Sequence, residues 1–249
     1  MRLPCLLLCL LFAVLPLAGA AQEPAQGPAA EPDVDVELCL AADGSGSIAD
    51  DEFVFQRRGF AAAIADPRVL RAIERGLYGR IALAHMEWGG SDSMEPIVDW
   101  MVIEDAASAR AFGERLIAAP RRAIGWNSIS NAILFCLEWI ESNDFNGLRK
   151  IIDISGDAGQ RGGAPLPFAR STALDAGLVI NALALNFRGG GLSGPMGMPL
   201  LEHFNRDVIG GPGAFSLAVE TSDAFVEALV RKLILEIAGK TPADGGERG

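Results

Sequence analysis

The sequence predicts an α/β fold: a doubly wound, mostly parallel six-stranded sheet with helices on both faces and one antiparallel edge strand. Short apolar segments rich in β-branched residues alternate with longer segments of helical periodicity, which is the pattern of parallel strands joined by crossover helices. Only residues 89–94 separate the second and third strand segments. This is too short for a crossover helix, so these two strands should form a hairpin. Sheets of this class tolerate an antiparallel strand at one edge.

Each expected strand is a short, mostly apolar segment bounded by turn residues. The first strand should lie in the centre of the sheet, because a strand buried on both faces is mostly apolar along its length. The hairpin strand, 95–103, should lie at one edge. The six expected strands are 34–42, 79–88, 95–103, 148–155, 177–185 and 213–220.

The expected helices have apolar residues at helical spacing. Acidic residues in the first turn of 51–65 indicate a helix start, and the last helix carries an apolar residue at every fourth position from Phe225 to Ile237. A glycine-rich loop is expected at 188–197. The expected helices are 51–65, 69–75, 106–118, 128–140, 166–176, 200–205 and 223–238.

The N-terminal residues have the pattern of an export signal. Arg2 precedes an apolar run at 5–17 and a small-residue cleavage pattern at 18–20, so we expect a signal peptide at 1–20 and a periplasmic or secreted protein. The apolar run is too short for a stable membrane span, and no cysteine follows the cleavage point to carry a lipid anchor. After it we expect, in order, a flexible leader at 21–32, one domain at 33–239 and a disordered tail at 240–249.

The composition is acidic, with 32 acidic and 21 basic residues and a net charge of −11. A negative chain repels phosphate backbones, so nucleic acid is excluded as a partner, whereas cations and basic surfaces are favoured. Two cysteines, Cys39 and Cys136, lie beyond the signal peptide. An oxidising compartment permits a disulfide between them, but an apolar strand and an apolar helix face favour two separate buried thiols.

Three short polar segments follow strands or open a helix. They are Asp43-Gly44-Ser45-Gly46-Ser47 after the first strand, 125–130 at the start of a helix, and Ser155-Gly156-Asp157 after the fourth strand. In a doubly wound sheet, ligands bind in a crevice outside the carboxyl ends of the strands. If the first and fourth strands are neighbours, Asp43 and Asp157 face one another across that crevice.

The polar side chains of these segments offer only oxygen ligands. Two carboxylates are accompanied by the hydroxyls of Ser45 and Ser47, and by the amide of Asn127 or the hydroxyl of Ser128. Such ligands suit a hard cation, Mg²⁺ foremost, with Mn²⁺ and Ca²⁺ as alternatives. Neutral hydroxyl ligands leave positive charge on the ion, so it can accept an acidic ligand from a partner.

These segments resemble the metal-ion-dependent adhesion site (MIDAS) of von Willebrand factor A (vWA) domains. In that motif, Asp-x-Ser-x-Ser is followed by a Thr and then by an Asp after the fourth strand. The resemblance extends from Val34 to Ala238. It is closest to an exported bacterial branch of unknown function, on the segments EWGG, NSIS, IIDISGD, VIGGPGAF and KLILEIAG. It implies a Rossmann-like vWA fold with one divalent-cation site.

The resemblance also implies a role for each ligand. Ser45 and Ser47 would bind the ion directly, whereas Asp43 and Asp157 would hold it through waters and by charge. The family threonine falls on Asn127, whose amide oxygen binds the same ions with a different reach. Ser128 is the alternative ligand at that place.

The same rim includes the end of the second strand. Glu87 and Trp88 lie there, and they either shape the surface that contacts a partner or, in the case of Trp88, pack in the core.

The sequence therefore predicts a binding module that uses one cation to contact an acidic group of a protein partner, in adhesion or assembly and not in catalysis. The hydroxyl-rich ligand set provides no evident general base. Neither His85 nor His203 lies beside a serine and an acid in sequence. Two alternatives remain open: a metal-assisted hydrolase that uses Asp43 and Asp157, and a metal-free scaffold within an envelope complex.

Overall fold

The computed structural model describes residues 33–46, 48–186 and 194–240. The expected signal peptide, the leader, Ser47, most of the glycine-rich loop and the tail after Lys240 lie outside these ranges. The strands are β1 (Asp33–Val34), β2 (Glu37–Asp43), β3 (Ile81–Trp88), β4 (Met94–Ile103), β5 (Asn146–Gly147), β6 (Lys150–Gly156), β7 (Val179–Leu185) and β8 (Ser216–Val219). The helices are α1 (Asp50–Ile64), α2 (Pro67–Glu74), α3 (Ala106–Ala118), α4 (Ile129–Glu141), α5 (Leu166–Asp175), α6 (Leu200–His203) and α7 (Phe225–Ala238), and α6 continues into a π-helical turn at Phe204–Val208.

Six strands form the main sheet in the order β4-β3-β2-β6-β7-β8. All neighbours are parallel except β3 and β4, which form the antiparallel hairpin. The expected fold class is therefore confirmed, with the first long strand inside the sheet and the hairpin strand at one edge. A separate parallel pair, β1 with β5, was not expected, because strands of two residues carry no periodicity.

The sheet separates two apolar cores because successive strand residues point to opposite faces. On β2, Leu38 and Leu40 pack on the face covered by α1, α2, α3 and α7, whereas Cys39 and Ala41 pack on the face covered by α4, α5 and α6. Every residue of β2 is buried, as expected of a central parallel strand. This arrangement leaves the loops after β2 and β6 side by side at one end of the sheet.

Cys39 and Cys136 form a disulfide, so the expectation of two separate thiols is wrong. Cys39 points to the face of the sheet on which α4 lies, and α4 carries Cys136 on its buried side. The two Cα atoms are 6.0 Å apart, within the range that a disulfide requires. Sequence periodicity indicated that both cysteines lie in apolar surroundings, but it did not show that both lie in the same core, on the same face of the sheet.

No helix in the described part of the chain is long and apolar enough to cross a membrane. Element bounds agree with the sequence expectation to within a few residues, and the strand starts differ most, by three residues, at β2 and β8. Gly211 and Gly213 both have positive φ. They continue the preceding turn, and β8 is therefore shorter than the expected 213–220.

Candidate metal centre

The candidate metal centre lies at the carboxyl ends of the two central strands. Asp43 is the last residue of β2, and β2 is flanked by β3 and β6. Asp157 follows β6 directly. Neighbouring parallel strands end at the same edge, so both carboxylates belong to one crevice, and the negative charge of Asp157 acts on Asp43.

Asp43 is buried and its carboxylate is held by neutral donors. Oδ1 accepts a hydrogen bond from the Ser45 backbone N–H at 2.8 Å, and Oδ2 accepts one from the Asn127 side-chain amide at 2.8 Å. Burial and the nearby charge of Asp157 raise the pKa of Asp43 to about 7, against the lowering effect of hydrogen bonds from Ser45 and from the Asp157 backbone. A buried carboxylate in this position is relieved either by a proton or by a cation.

The loop after Asp43 is fixed by close backbone contacts. The Gly44 N–H donates to the Trp88 carbonyl at 2.9 Å, and a Cβ at Gly44 would lie 2.7 Å from the Ala123 Cβ, so a side chain has no room there. The Gly46 N–H donates to the Gly125 carbonyl at 3.0 Å. The loop is therefore attached to the segment that carries Asn127, and Ser45 is buried within it.

Arg121 holds the same loop from its outer side. Its guanidinium donates to the carbonyls of Ser45 and Ile48, each at 2.9 Å, and pairs with Asp50 at 2.7 Å. The positive charge of Arg121 is therefore engaged by the carbonyls of the loop and by the Asp50 carboxylate at the start of α1.

The two candidates for the position of the family threonine point to different places. Asn127 contacts Asp43, whereas the hydroxyl of Ser128 lies against Gly163. The Ser128 hydroxyl is buried and has no hydrogen-bond partner among the described residues. Of the predicted site residues, the structure brings together Asp43, Ser45, Asn127 and Asp157.

The donor set of these residues fits a hard cation, with one rearrangement. Among the residues that the structure describes, no group of three His, Cys, Asp or Glu side chains is placed to hold a metal. An ion at Asp43 would therefore depend on hydroxyl and amide oxygens as well as on the carboxylates. Asn127 turns its NH₂ group towards Asp43, so the amide must turn over before its oxygen faces an ion.

A family model described as "Protein of unknown function (DUF1194)" matches residues 33–241. The chain belongs to this family. No curated protein matches the sequence of this DUF1194 protein.

Solved structures share the fold of this DUF1194 protein at low sequence identity. Proximal thread matrix protein 1 from the mussel byssus, described with a zinc-occupied MIDAS motif, is 13% identical, with 82% of this chain and 46% of that chain covered and a TM-score of 0.56. The pilus adhesin SpaC from Lactobacillus rhamnosus GG is 12% identical, with 82% and 31% covered and a TM-score of 0.59. A von Willebrand factor type A protein from Catenulispora acidiphila is 14% identical, with 82% and 43% covered and a TM-score of 0.57.

This DUF1194 chain spans less than half the length of each of these three structures. At such identities the likeness concerns the fold alone. The order of strands, the antiparallel edge strand and the helices on both faces are those of a vWA domain.

Glu87 and Trp88 do not form an exposed rim in this DUF1194 protein, contrary to one of the two expectations. Both are buried. Glu87 makes a two-pronged ion pair with Arg57 at 2.7 and 2.9 Å, and the Trp88 indole N–H donates to the Ala41 carbonyl at 3.0 Å. These two residues end an inner strand that is covered on both faces, and they support the loop after Asp43 from below.

The exposed apolar side chains beside the centre belong to a different segment. Ile124 is 71% exposed and Trp126 is 65% exposed. They line a cleft of about 410 Å³ together with Arg161 and the turn at 90–93. The Arg161 backbone N–H donates to the Asn127 carbonyl, which attaches this cleft to the centre. Sequence reasoning missed this cleft. The signal for it is Trp126, a tryptophan directly before Asn127 in a segment that has neither strand nor helix periodicity.

Proposed function

We propose that this DUF1194 protein is an exported binding module. It holds one divalent cation, Mg²⁺ foremost, at Asp43, Ser45, Ser47, Asn127 and Asp157, and through it contacts an acidic group of a protein partner in adhesion or assembly. The observation that carries the proposal is the contact of 2.8 Å between Asn127 and Asp43, which joins two of the three motif segments across 84 residues of sequence. The bound ion supplies an open coordination position for a carboxylate.

The protein residues prepare the centre in two ways. The backbone N–H of Ser45 fixes the orientation of the Asp43 carboxylate. Asn127 occupies the other carboxylate oxygen with a neutral donor, so an ion has to compete with this hydrogen bond. A threonine at position 127 would offer a hydroxyl oxygen without that competing amide.

The surroundings favour binding over hydrolysis. The described residues that line the 410 Å³ cleft include neither Asp43 nor Asp157, whereas a hydrolase would need its reacting carboxylates in the substrate cleft. The cleft instead presents the exposed side chains of Ile124 and Trp126. Exposed aromatic and aliphatic residues of this kind are typical of the central part of protein interfaces.

Thermal melts with Mg²⁺, Mn²⁺ or Ca²⁺, each against a chelator, test the cation. We expect the wild-type melting temperature to rise with at least one ion, because a ligand that binds only the folded state stabilises it. Asp157→Ala and Ser45→Ala should each remove most of the rise. Asn127→Thr should increase metal affinity by about fivefold, since about 1 kcal/mol of competing hydrogen bond is lost.

Asp175→Ala is the matched control, because Asp175 is an exposed carboxylate at the end of α5. It should leave the metal-induced shift unchanged. If no ion shifts the melt and calorimetry detects no binding, the metal centre is refuted and the metal-free scaffold becomes the better explanation. The adhesion role is tested by a pull-down of envelope proteins on the immobilised chain, with and without chelator. If metal binds but no envelope protein is retained in a chelator-sensitive manner, the metal centre stands and the adhesion role is refuted.

A further inference from the structure

A second cleft lies at the opposite end of the sheet from Asp43. It has a volume of about 630 Å³ and is bordered by helix α2, by the C-terminal end of α7 and by the residues that precede β2 and β6. Its position at the amino ends of the strands makes it independent of the candidate metal centre.

This cleft concentrates positive charge in an acidic protein. Five cationic side chains line it, whereas the whole chain has a net charge of −11. Arg68 and Arg71 of α2 and Arg75, which ends the helix, lie on one helix face, because positions separated by three and by seven residues share a face. The five are Arg68, Arg71, Arg75, Arg149 and Lys240.

Two of these cations are already engaged in the fold. Arg68 pairs with Asp66 at 3.0 Å and with Glu227 at 2.8 Å. Arg149 donates to the carbonyls of Glu236 and Ile237, and so satisfies the C-terminal end of helix α7. These contacts are structural and do not need a ligand.

The only carboxylate lining the described part of the cleft is also engaged. Asp35 accepts hydrogen bonds from the backbone N–H groups of Tyr78, at 3.1 Å, and Arg80, at 3.3 Å. By contrast, within the described ranges the side chains of Arg71, Arg75 and Lys240 make no hydrogen bond or ion pair. The charge of Arg71 acts on Asp66, which is already paired with Arg68, so three positive charges face the cleft with no hydrogen-bonded partner.

We propose that this cleft binds an organic phosphate. A phosphate monoester carries a charge of about −1.5 to −2 on three acceptor oxygens, so one group can be contacted by several cations. The planar guanidinium fork matches phosphate oxygens in pairs. The volume exceeds that of one phosphate, and the walls include Ile234, Ile237 and Leu148, which can contact the organic part.

Calorimetry and thermal melts on the purified chain test the phosphate site. The probes are glycerol 3-phosphate and inorganic pyrophosphate, with citrate as the carboxylate probe. We expect both phosphates to bind, with an affinity that falls as salt is added. The variant Arg71→Gln/Arg75→Gln should weaken phosphate binding at least about tenfold, since two charge-assisted contacts are removed.

The variant Arg58→Gln/Arg110→Gln removes the same charge from exposed arginines outside the cleft and should bind as wild type. Lys240→Gln is a milder variant that tests the cleft even if the double variant folds poorly. The site is refuted if neither phosphate binds, if the control weakens binding equally, or if citrate binds as well as the phosphates.

Two sources of the phosphate group are distinguished by vesicles. Vesicles of phosphatidylcholine with 30% phosphatidylglycerol (about one anionic lipid in three) are compared with phosphatidylcholine alone. Retention on the anionic vesicles that glycerol 3-phosphate competes away assigns the site to a lipid headgroup. Binding of the free phosphates without vesicle retention assigns it to a soluble phosphate ester.

Discussion

Two pairs of neighbouring carboxylates, each with at least one buried member, are compensated in different ways. At the end of the sheet, Asp43 and Asp157 share a crevice, and Asp43 accepts hydrogen bonds from two neutral donors, the Ser45 backbone N–H and the Asn127 amide. Inside the domain, Asp153 on β6 and Glu236 on α7 flank the Lys232 ammonium at 2.7 and 2.5 Å. We call this second group the lysine centre.

The lysine centre is complete without any ligand. Its three charged side chains are buried, and Asn181 donates a further hydrogen bond to Glu236 at 2.9 Å. Burial disfavours the Lys232 ammonium, but the charges of Asp153 and Glu236 outweigh it and raise the Lys232 pKa. Burial and the charge of Asp153 raise the pKa of Glu236 to about 7.

The difference between the metal centre and the lysine centre suggests a different role for each. Where the Lys232 ammonium lies between Asp153 and Glu236 and offsets one of their two charges, the cluster holds a strand and a helix together. Where only neutral donors meet the Asp43 carboxylate, its charge is the one that the proposed cation would neutralise. Substitutions that affect the two centres differently test this distinction.

The largest effect is expected from Lys232→Met. It leaves Asp153 and Glu236 buried without a counter-charge, which costs about 3–5 kcal/mol of unfolding free energy. Urea denaturation at pH 7 measures it. Arg231→Met, at an exposed position on the same helix, should change stability by less than about 0.5 kcal/mol. A loss below about 1 kcal/mol for Lys232→Met would mean that the lysine centre is not the structural cluster described above.

The disulfide should matter to the metal centre more than to the lysine centre. It joins β2, which ends in Asp43, to α4, which begins two residues after Asn127. Cys39→Ala/Cys136→Ala should lower the unfolding free energy by about 2–5 kcal/mol, because a long loop is no longer closed in the unfolded chain. Metal affinity, measured by calorimetry, should fall as well.

The expectation for the disulfide variant would be contradicted by unchanged metal affinity. That result would show that the disulfide does not act on the side of the domain that carries Asp43.

The smallest effect is the pH dependence itself. The pKa of Glu236 is raised from 4.5 to about 7 in the folded protein. Glu236 therefore binds more proton in the folded than in the unfolded state between these values, and its contribution to stability falls as pH rises through that window, by on the order of 1–3 kcal/mol. Urea denaturation at pH 5, 6, 7 and 8 measures the slope.

Glu236→Gln keeps the shape and removes this titrating group, so it should remove the part of the slope that Glu236 contributes, while the part from Asp43, whose pKa is also raised to about 7, remains. Glu141→Gln, which alters an exposed ion pair with Lys150, should leave it unchanged. An equal slope in the wild type and in Glu236→Gln would contradict the assignment.

Sequence reasoning predicted the sheet and the position of Asp43, Asn127 and Asp157 because both follow from the alternation of strands and helices along the chain. Strand ends and helix starts are recognisable, and the fold places them at one edge. Sequence reasoning failed where the outcome depends on which way a side chain of a strand or helix points. Trp88 ends a strand on the edge that carries the centre, but only the packed structure shows that its ring is buried.

The lysine centre was not found in the sequence because Lys232 and Glu236 look like an exposed pair four residues apart on a helix. The signal that would have indicated it is Asp153, a charge in the middle of an apolar strand. Such a residue requires a buried partner. The basic cleft was missed for a similar reason, since arginines on a surface helix usually face solvent.

The disulfide also limits how far the domain can be stretched. A pull applied at the two termini cannot extend the segment between Cys39 and Cys136, which are 97 residues apart, until the bond is reduced. At about 3.4 Å for each extended residue, the bond withholds roughly 330 Å of chain. The force passes directly from the central strand into α4, so a partner held at Asp43 under tension would be anchored to two elements by a covalent link.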